Sequence, residues 1–359
     1  MSILWVRNMT SDAEESLVGS MLEENFELQE IIGTGGFACV YRAFDHKRQS
    51  LVAIKLLKEK PLAVAEEENS YLKERFIQEA QVVTSLNHPN IVKMYHFGFL
   101  PSLRRDFIVM ELLRGHDLRK ELQTNGPLSP ERFIPLLIKA LDGLQHIHNN
   151  GIVHRDLKPD NLFLHNLRQD NEELRIVDFG IARVEQNKAI TLSGQVLGTN
   201  KYMAPEYLQE QLVSPALDIY QLGLIMAEAL TGKAVVNIKH TYASLKEHIS
   251  GNLSLPIGLL QSPLGTVLQH SLALNPKDRY QNASAFADAL KDIPLEEIPL
   301  PIQHGDKITL NAFLKMETEE ISSSKEPIPQ KNQHTRALAI ITILISLTAL
   351  IVWLLFLRT

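Results

Sequence analysis

The octet His154-Arg155-Asp156-Leu157-Lys158-Pro159-Asp160-Asn161, with Asp178-Phe179-Gly180 downstream, constrains this chain more than any other stretch. It gathers a carboxylate, a lysine, an asparagine and a second carboxylate within twenty-five residues. Phosphoryl transfer needs that inventory. One carboxylate orients the attacking hydroxyl and accepts its proton, and a cation offsets charge on the moving phosphoryl group. An Asn and a second Asp hold Mg²⁺ across the phosphates. A lone His-Arg-Asp triplet carries little information. The octet with Asp-Phe-Gly at loop distance is specific.

Length and composition set the bounds. At 359 residues there is room for one two-lobed domain, or two ordinary domains, plus appendages. A 45% hydrophobic and 22% charged composition is that of a globular protein with a full core. A formal charge of −6, with no basic tract, argues against nucleic acid as a partner. The single cysteine, Cys39, excludes an internal disulfide. Met1 to Thr10 lacks the charged and apolar regions of a signal peptide.

Ala337 to Leu357 is different: 21 residues without a charge. As a helix rising about 1.5 Å per residue it would cross the roughly 30 Å hydrocarbon core of a bilayer. The alternative, a buried core helix, seldom runs this long without a polar face. Only Arg358 and Thr359 follow, so the segment reads as a single-pass tail anchor. Lys325, Lys331 and Arg336 precede it against one Arg after it, which points the bulk of the chain to the cytoplasm.

Taken in order, residues 1–25 form an extension with acidic clusters and no assigned role. Phe26 to Ile32 alternates as a strand. Gly33-Thr34-Gly35-Gly36-Phe37-Ala38-Cys39-Val40 then turns into a returning strand. Glycines there let backbone approach phosphate oxygens that a Cβ would hold off, although the pattern alone describes only a hairpin. Leu51 to Leu57 reads as a buried strand containing Ala53 and Lys55. A buried ammonium needs a partner, and Glu79 is the candidate. It lies in a helix over 71–86 whose face carries Leu72, Phe76, Ala80 and Val83. Phe107 to Met110 is a further strand, leading into Glu111-Leu112-Leu113. Ser129-Pro130-Glu131 starts a helix with a hydroxyl cap. His146, His148 and His154 lack a carboxylate or cysteine at ligand spacing and are not read as a zinc site. Prolines from Pro294 and the serine run at Ser322 mark a flexible linker before the apolar tail.

On the octet, the Asp-Phe-Gly, the glycine turn, Val52-Ala53-Ile54-Lys55 and Ala204-Pro205-Glu206, the sequence resembles the eukaryotic-type (Hanks-type) protein kinases. It departs from their Gly-x-Gly-x-x-Gly-x-Val loop at Ala38, which stands in the third glycine place. The resemblance implies an α+β fold of two lobes over residues 26–293: a small antiparallel β-rich lobe with one helix, and a larger helical lobe. The 1–25 extension, a 294–336 linker, a 337–357 transmembrane helix and a 358–359 tail would flank it. It implies ATP with Mg²⁺, Mn²⁺ being the alternative, and protein substrates. Asp156 would be the catalytic base and Lys158 the neutraliser of the moving group. Asn161 and Asp178 would be the metal ligands. The nucleotide would lie among Gly33, Thr34, Gly35, Gly36, Phe37, Ala38, Val40, Ala53 and Lys55, the last held by Glu79. Met110 would be gatekeeper, backbone groups of Glu111 and Leu113 would bind adenine, and Asp117 would reach the ribose.

Lys158 and Thr199 are the arrangement of serine/threonine kinases, and the glycine loop with a tail anchor is most similar to the bacterial branch. By the same resemblance Asp218 braces the catalytic loop, Gln221 beside it is a peripheral departure, and Arg279 pairs with Glu206. Arg155 beside Asp156 wants an anionic partner. Thr191 and Ser193, in the middle of the loop that follows Asp178, are the expected autophosphorylation sites, a homodimer allowing modification in trans. The rival reading is a catalytically silent scaffold with the same fold. Such scaffolds usually lose one of Lys55, Glu79, Asp156, Asn161 and Asp178, all of which are present.

Overall fold

The computed structural model describes residues 12–35, 38–58, 82–179, 199–236, 241–298 and 306–316. Those up to Asn311 belong to one compact unit, and residues 312–316, the described part of a second, are helical. After the short helix α1 (Asp12–Glu15), alternating sequence builds the first lobe. Strands β1 (Met21–Leu22), β2 (Phe26–Thr34), β3 (Ala38–Asp45), β4 (Ser50–Leu57), β5 (Met94–Leu100) and β6 (Arg105–Glu111) form one sheet. Its order is β1-β2-β3-β4-β6-β5, and every neighbouring pair is antiparallel. One face buries Leu28, Cys39, Tyr41, Ala43, Val52, Ile54, Leu56, Phe107 and Val109 as a single core. The two-residue period therefore sends Lys55 and Val40 to the opposite face. Register sets Ala53 beside Met110 and Lys55 beside Ile108.

The segment read as an N-terminal extension joins this lobe. β1 adds an edge strand, and Glu14 is buried. Tyr41 sits in the apolar core with a hydroxyl that needs a partner, and it donates to Glu14 Oε2 at 2.8 Å. Arg105 closes the same carboxylate at 3.0 Å. Burial, reinforced by the hydrogen bond to Glu14, pushes the Tyr41 hydroxyl far above the ordinary tyrosine range. Cys39 is buried in this core, and burial raises its thiol too, which opposes any redox role.

The second lobe begins with β7 (Gly115–Asp117), α2 (Leu118–Asn125) and α3 (Pro130–Asn149). Gly115 has φ +143°, and a Cβ there would lie 2.0 Å from the Leu164 carbonyl oxygen, so no other residue fits this pairing. β7, β8 (Leu162–His165) and β9 (Glu173–Ile176) make a three-stranded sheet. Next come α4 (Pro205–Glu210), α5 (Pro215–Thr231), α6 (Thr241–Ser250), β10 (Ser254–Pro256), α7 (Ile257–Leu260), α8 (Leu264–Ser271) and α9 (Ala283–Lys291). From Ala216 to Thr231 every residue of α5 is buried, so this helix is the pillar of the lobe. α3 packs against both α5 and α9. One local expectation changes. Ser129 gives no side-chain cap to α3, since its main-chain carbonyl takes the Arg132 and Phe133 amides instead. α5 begins three residues before Asp218, with Pro215 in its first turn.

The chain also returns to this lobe after Ile293. β11 (Lys307–Thr309), within the stretch read as linker, pairs antiparallel with β10. The Leu310 amide donates to Leu253, and the Asn311 carboxamide to the Ser250 carbonyl. An open edge at β10 and the buried side chain of Leu310 account for the docking. Among the described residues no helix is long and apolar enough to cross a membrane, and residues 337–357 lie outside them.

A buried carboxylate ties the start of the second lobe together. Glu121 on α2 accepts from Arg132 at 2.7 Å, His116 at 2.8 Å and Asn125 at 2.9 Å. Burial alone would raise its pKa, but the Arg132, His116 and Asn125 hydrogen bonds outweigh it and bring the group from 4.5 to about 2. A depressed carboxylate stabilises the fold fully above its unfolded pKa and loses that contribution as pH falls through the folded one. Over the window from 4.5 down to about 2, the loss should be on the order of 3 kcal/mol. Glu121→Gln should be less stable than wild type at neutral pH, and the gap should narrow as pH drops. Unfolding curves of both proteins across that window check this.

Candidate active site

The site grows from the pillar helix outward. Asp218, one turn into α5, has no exposed surface. Its Oδ2 accepts the His154 amide at 2.8 Å and His148 Nε2 at 2.7 Å, and its Oδ1 accepts the Arg155 amide at 2.8 Å. One turn further on, Gln221 receives the Leu157 amide on Oε1 at 3.0 Å and donates Nε2 to the Arg155 carbonyl at 3.3 Å. These contacts hold Arg155 at φ +65°, a left-handed conformation that a bulky residue adopts only when its surroundings impose it. Gln221, which the sequence reading treats as peripheral, thus grips the loop directly. His148 is likewise engaged in this network.

His154 packs its ring against Phe179 at 5.4 Å between centroids. Its Nδ1 faces the Asp156 amide at 3.4 Å and its Nε2 the Val177 carbonyl at 3.1 Å. The amide can only donate and the carbonyl can only accept, so the proton sits on Nε2. Burial lowers the His154 pKa and favours this neutral form.

Around that support the octet converges. Lys158 Nζ lies 3.2 Å from Asp156 Oδ2. Asn161, on a 3-10 turn over Pro159–Asn161, donates Nδ2 to the Asp156 carbonyl at 2.7 Å and to its Oδ2 at 3.3 Å. With its amide nitrogen committed to Asp156, Asn161 keeps its Oδ1 for a further contact. The Asn161 carbonyl accepts the Val177 amide at 3.0 Å, which ties this residue to the segment carrying Asp178. Asp178 stands at φ +56° and its Oδ1 is 2.8 Å from Lys55 Nζ. Desolvation acts to raise the Asp178 pKa, but Lys55 outweighs it and keeps the carboxyl below its usual range. An ionised Asp and an amide oxygen are hard oxygen donors of the kind Mg²⁺ or Mn²⁺ takes, so the residues fit such an ion.

Lys55 was expected to pair with Glu79, which lies outside the described residues, as do Gly36, Phe37, Thr191 and Ser193. The rest of the glycine turn is clear. The Gly35 amide closes on the Ala38 carbonyl at 2.8 Å. Among the described residues, a Cβ on Gly33 or Gly35 would meet nothing closer than 3.7 Å. Open space of that kind would let a ligand approach the backbone closely.

Between the lobes, Met110 and Leu113 are half-buried. The Glu111 amide is spent on the Lys93 carbonyl at 2.9 Å, so its backbone can meet a base only through its carbonyl. Its side chain takes the Lys93 amide and Arg175, each at 2.7 Å. Asp117 caps α2, accepting the Lys120 amide on Oδ1 at 2.8 Å.

Past the loop, Glu206 and Arg279 form the expected pair, bidentate at 2.7 and 2.8 Å and almost fully buried. Arg279 also donates to the Ala216 and Ala273 carbonyls and lies over the Tyr220 ring. A second network escaped the sequence reading. Arg119 of α2 bonds Glu228 and the Tyr202 hydroxyl and approaches Asp160 at 3.4 Å. Its signals, an Arg after a capping Asp and a Glu deep in an apolar helix, are too common to single out.

Two lobes joined at a short strand end, with this polar centre between them, define a protein kinase fold. Residues 26–290 match the protein kinase domain family, and the chain belongs to it. Its relatives include the serine/threonine-protein kinase PknB of Mycobacterium tuberculosis, 34% identical over 272 residues, which are 74% of this chain and 42% of PknB. The serine/threonine-protein kinase PrkC of Bacillus subtilis is 31% identical over 320 residues, 86% of this chain and 47% of PrkC. The chain thus spans under half the length of these two relatives.

Removing Glu206 would leave the Arg279 guanidinium buried and half-satisfied. Glu206→Ala should cost about 3 kcal/mol or more. Arg279→Lys should also destabilise, because an ammonium cannot reproduce the bidentate fork. Thermal unfolding of each variant beside wild type measures both effects.

Proposed function

We propose that this chain is a serine/threonine protein kinase that transfers the γ-phosphoryl group of ATP to Ser and Thr hydroxyls of proteins. The observation that carries the reading is Asp156 with Lys158 at 3.2 Å and Asn161 at 2.7 and 3.3 Å, joined through Val177 to the Lys55–Asp178 pair. Asp156 accepts the proton of the incoming hydroxyl as its oxygen forms a bond to phosphorus. The bond from phosphorus to the bridging oxygen breaks, and its electron pair leaves with ADP. Lys158 offsets charge on the moving group. Lys55 holds the other phosphates, the glycine turn covers them, and Asn161 and Asp178 hold the metal. Bound magnesium neutralises charge between the phosphates. The Glu111 carbonyl and the Leu113 amide meet adenine, and Asp117 reaches the ribose.

Three further parts of the reading rest on sequence. Residues 337–357 anchor the chain in a membrane as a single span, with the kinase domain in the cytoplasm. Thr191 and Ser193 are autophosphorylation sites whose phosphate pairs with Arg155. Modification in trans requires a second copy.

The test is phosphate incorporation by the full chain in detergent with MgATP, beside Asp156→Asn. Wild type should label Ser and Thr, with Thr191 or Ser193 among the mapped sites. The variant should lose about 100-fold or more in rate while still binding nucleotide. Equal labelling by both would overturn the assignment. Deleting residues 337–359 should release the protein from lipid vesicles.

A further inference from the structure

We infer that Gln221 is a positioning residue for catalysis, and that this chain fixes its catalytic aspartate by a side-chain clamp on both flanking peptide bonds. The inference rests on the kinase reading above and concerns how Asp156 is held.

The geometry is specific. The carbonyl of Arg155 belongs to the peptide unit before Asp156, and the amide of Leu157 to the unit after it. Gln221 bonds one with Nε2 at 3.3 Å and the other with Oε1 at 3.0 Å. A carboxamide offers an acceptor and a donor side by side, and the loop presents a donor and an acceptor to match. That complementarity also fixes the orientation of the amide, since the flipped form would face N–H against N–H and oxygen against oxygen. Gln221 has only 1% of its surface exposed, so water does not readily stand in for either bond.

The neighbouring contacts leave a gap that Gln221 fills. Asp218 holds the His154 and Arg155 amides, which stop short of Asp156. Lys158 and Asn161 touch the Asp156 carboxylate and carbonyl, but both are themselves on the loop. Among these contacts only those of Gln221 link the pillar helix to backbone on both sides of Asp156. A small or an aromatic side chain at this place could not make this pair of bonds. A serine is too short to span two peptide units, and an aromatic ring has no donor beside an acceptor. Spacing adds the last element: positions 218 and 221 are one turn apart on a single helix face, so both side chains meet the same loop.

The test compares Gln221→Met, close in shape with both bonds lost, and Gln221→Glu, which keeps the acceptor but sets oxygen against the Arg155 carbonyl. Full chain in detergent is assayed for kcat, KM for ATP, nucleotide affinity and melting temperature. Hydrogen exchange is followed in peptides containing the Leu157 amide. For Gln221→Met, kcat should fall about 10- to 100-fold while KM and nucleotide affinity stay within about twofold, because a small misplacement of a reacting group is enough. Exchange at Leu157 should speed up in Gln221→Met, which removes its acceptor, and stay near wild type in Gln221→Glu, which keeps it, and both variants should stay folded. Unchanged kcat, or a loss matched by equal loss of nucleotide binding and folding, overturns the inference. If wild type itself shows no turnover, the kinase reading fails separately. Hydrogen exchange then still decides the clamp, which is refuted if Leu157 protection is the same in wild type and Gln221→Met.

Discussion

The carboxylate of Asp218 sits inside α5 with none of its surface in water, in a helix buried along nearly its whole length. An ionised group in such a place costs several kcal/mol unless its oxygens are fully engaged. Here they accept two successive main-chain amides and one imidazole. The cost of burying the charge and the conformation of the loop are therefore one constraint. Two neighbouring amides can aim at one carboxylate only if the backbone between them turns sharply, and Arg155 takes the left-handed conformation that does so. His148 shares Oδ2 through its Nε2 at 2.7 Å. The loop is rigid because its anchor is.

That rigidity sets the electrostatics above it. Two carboxylates, Asp156 and Asp178, each face a lysine, Lys158 and Lys55. Two such pairs suit a ligand that brings several negative oxygens and a divalent cation. The neutral His154 beneath adds no charge of its own, and it couples the loop to Phe179 through ring contact. Burial of Glu206 with Arg279 does the same service further along, fixing the start of α4 against the end of the lobe with a fork that only arginine supplies.

Much of this is legible in the sequence because the residues involved are rare in combination. The octet, the strand lysine and the glycine turn follow from chemistry that few folds need, and the Arg279 partner for Glu206 follows from the resemblance they carry. The β-rich lobe follows from the alternation of Phe26 to Ile32 and the apolar run from Leu51 to Leu57. What was not legible depended on long-range geometry. Glu14 lies in an acidic stretch that reads as solvated, and only the Tyr41 hydroxyl and Arg105, 27 and 91 residues away, make it a core group. β11 is three residues in a segment of linker composition, and an open edge at β10 is what makes it a strand. Gln221 looked peripheral because a glutamine in an apolar helix carries no pattern, and its two partners are main-chain groups that sequence cannot display.

A buried carboxylate on α5 sets the geometry of the loop bearing Asp156. Substituting Asp218→Asn tests it most directly, with phosphoryl transfer, nucleotide affinity and folded content measured on the same sample. The new amide would turn an N–H group towards donors that the carboxylate satisfied. The account predicts a folded protein that binds nucleotide as wild type does, within about threefold, yet transfers phosphate at least about 100-fold more slowly. A folded variant that transfers phosphate at the wild-type rate would contradict it.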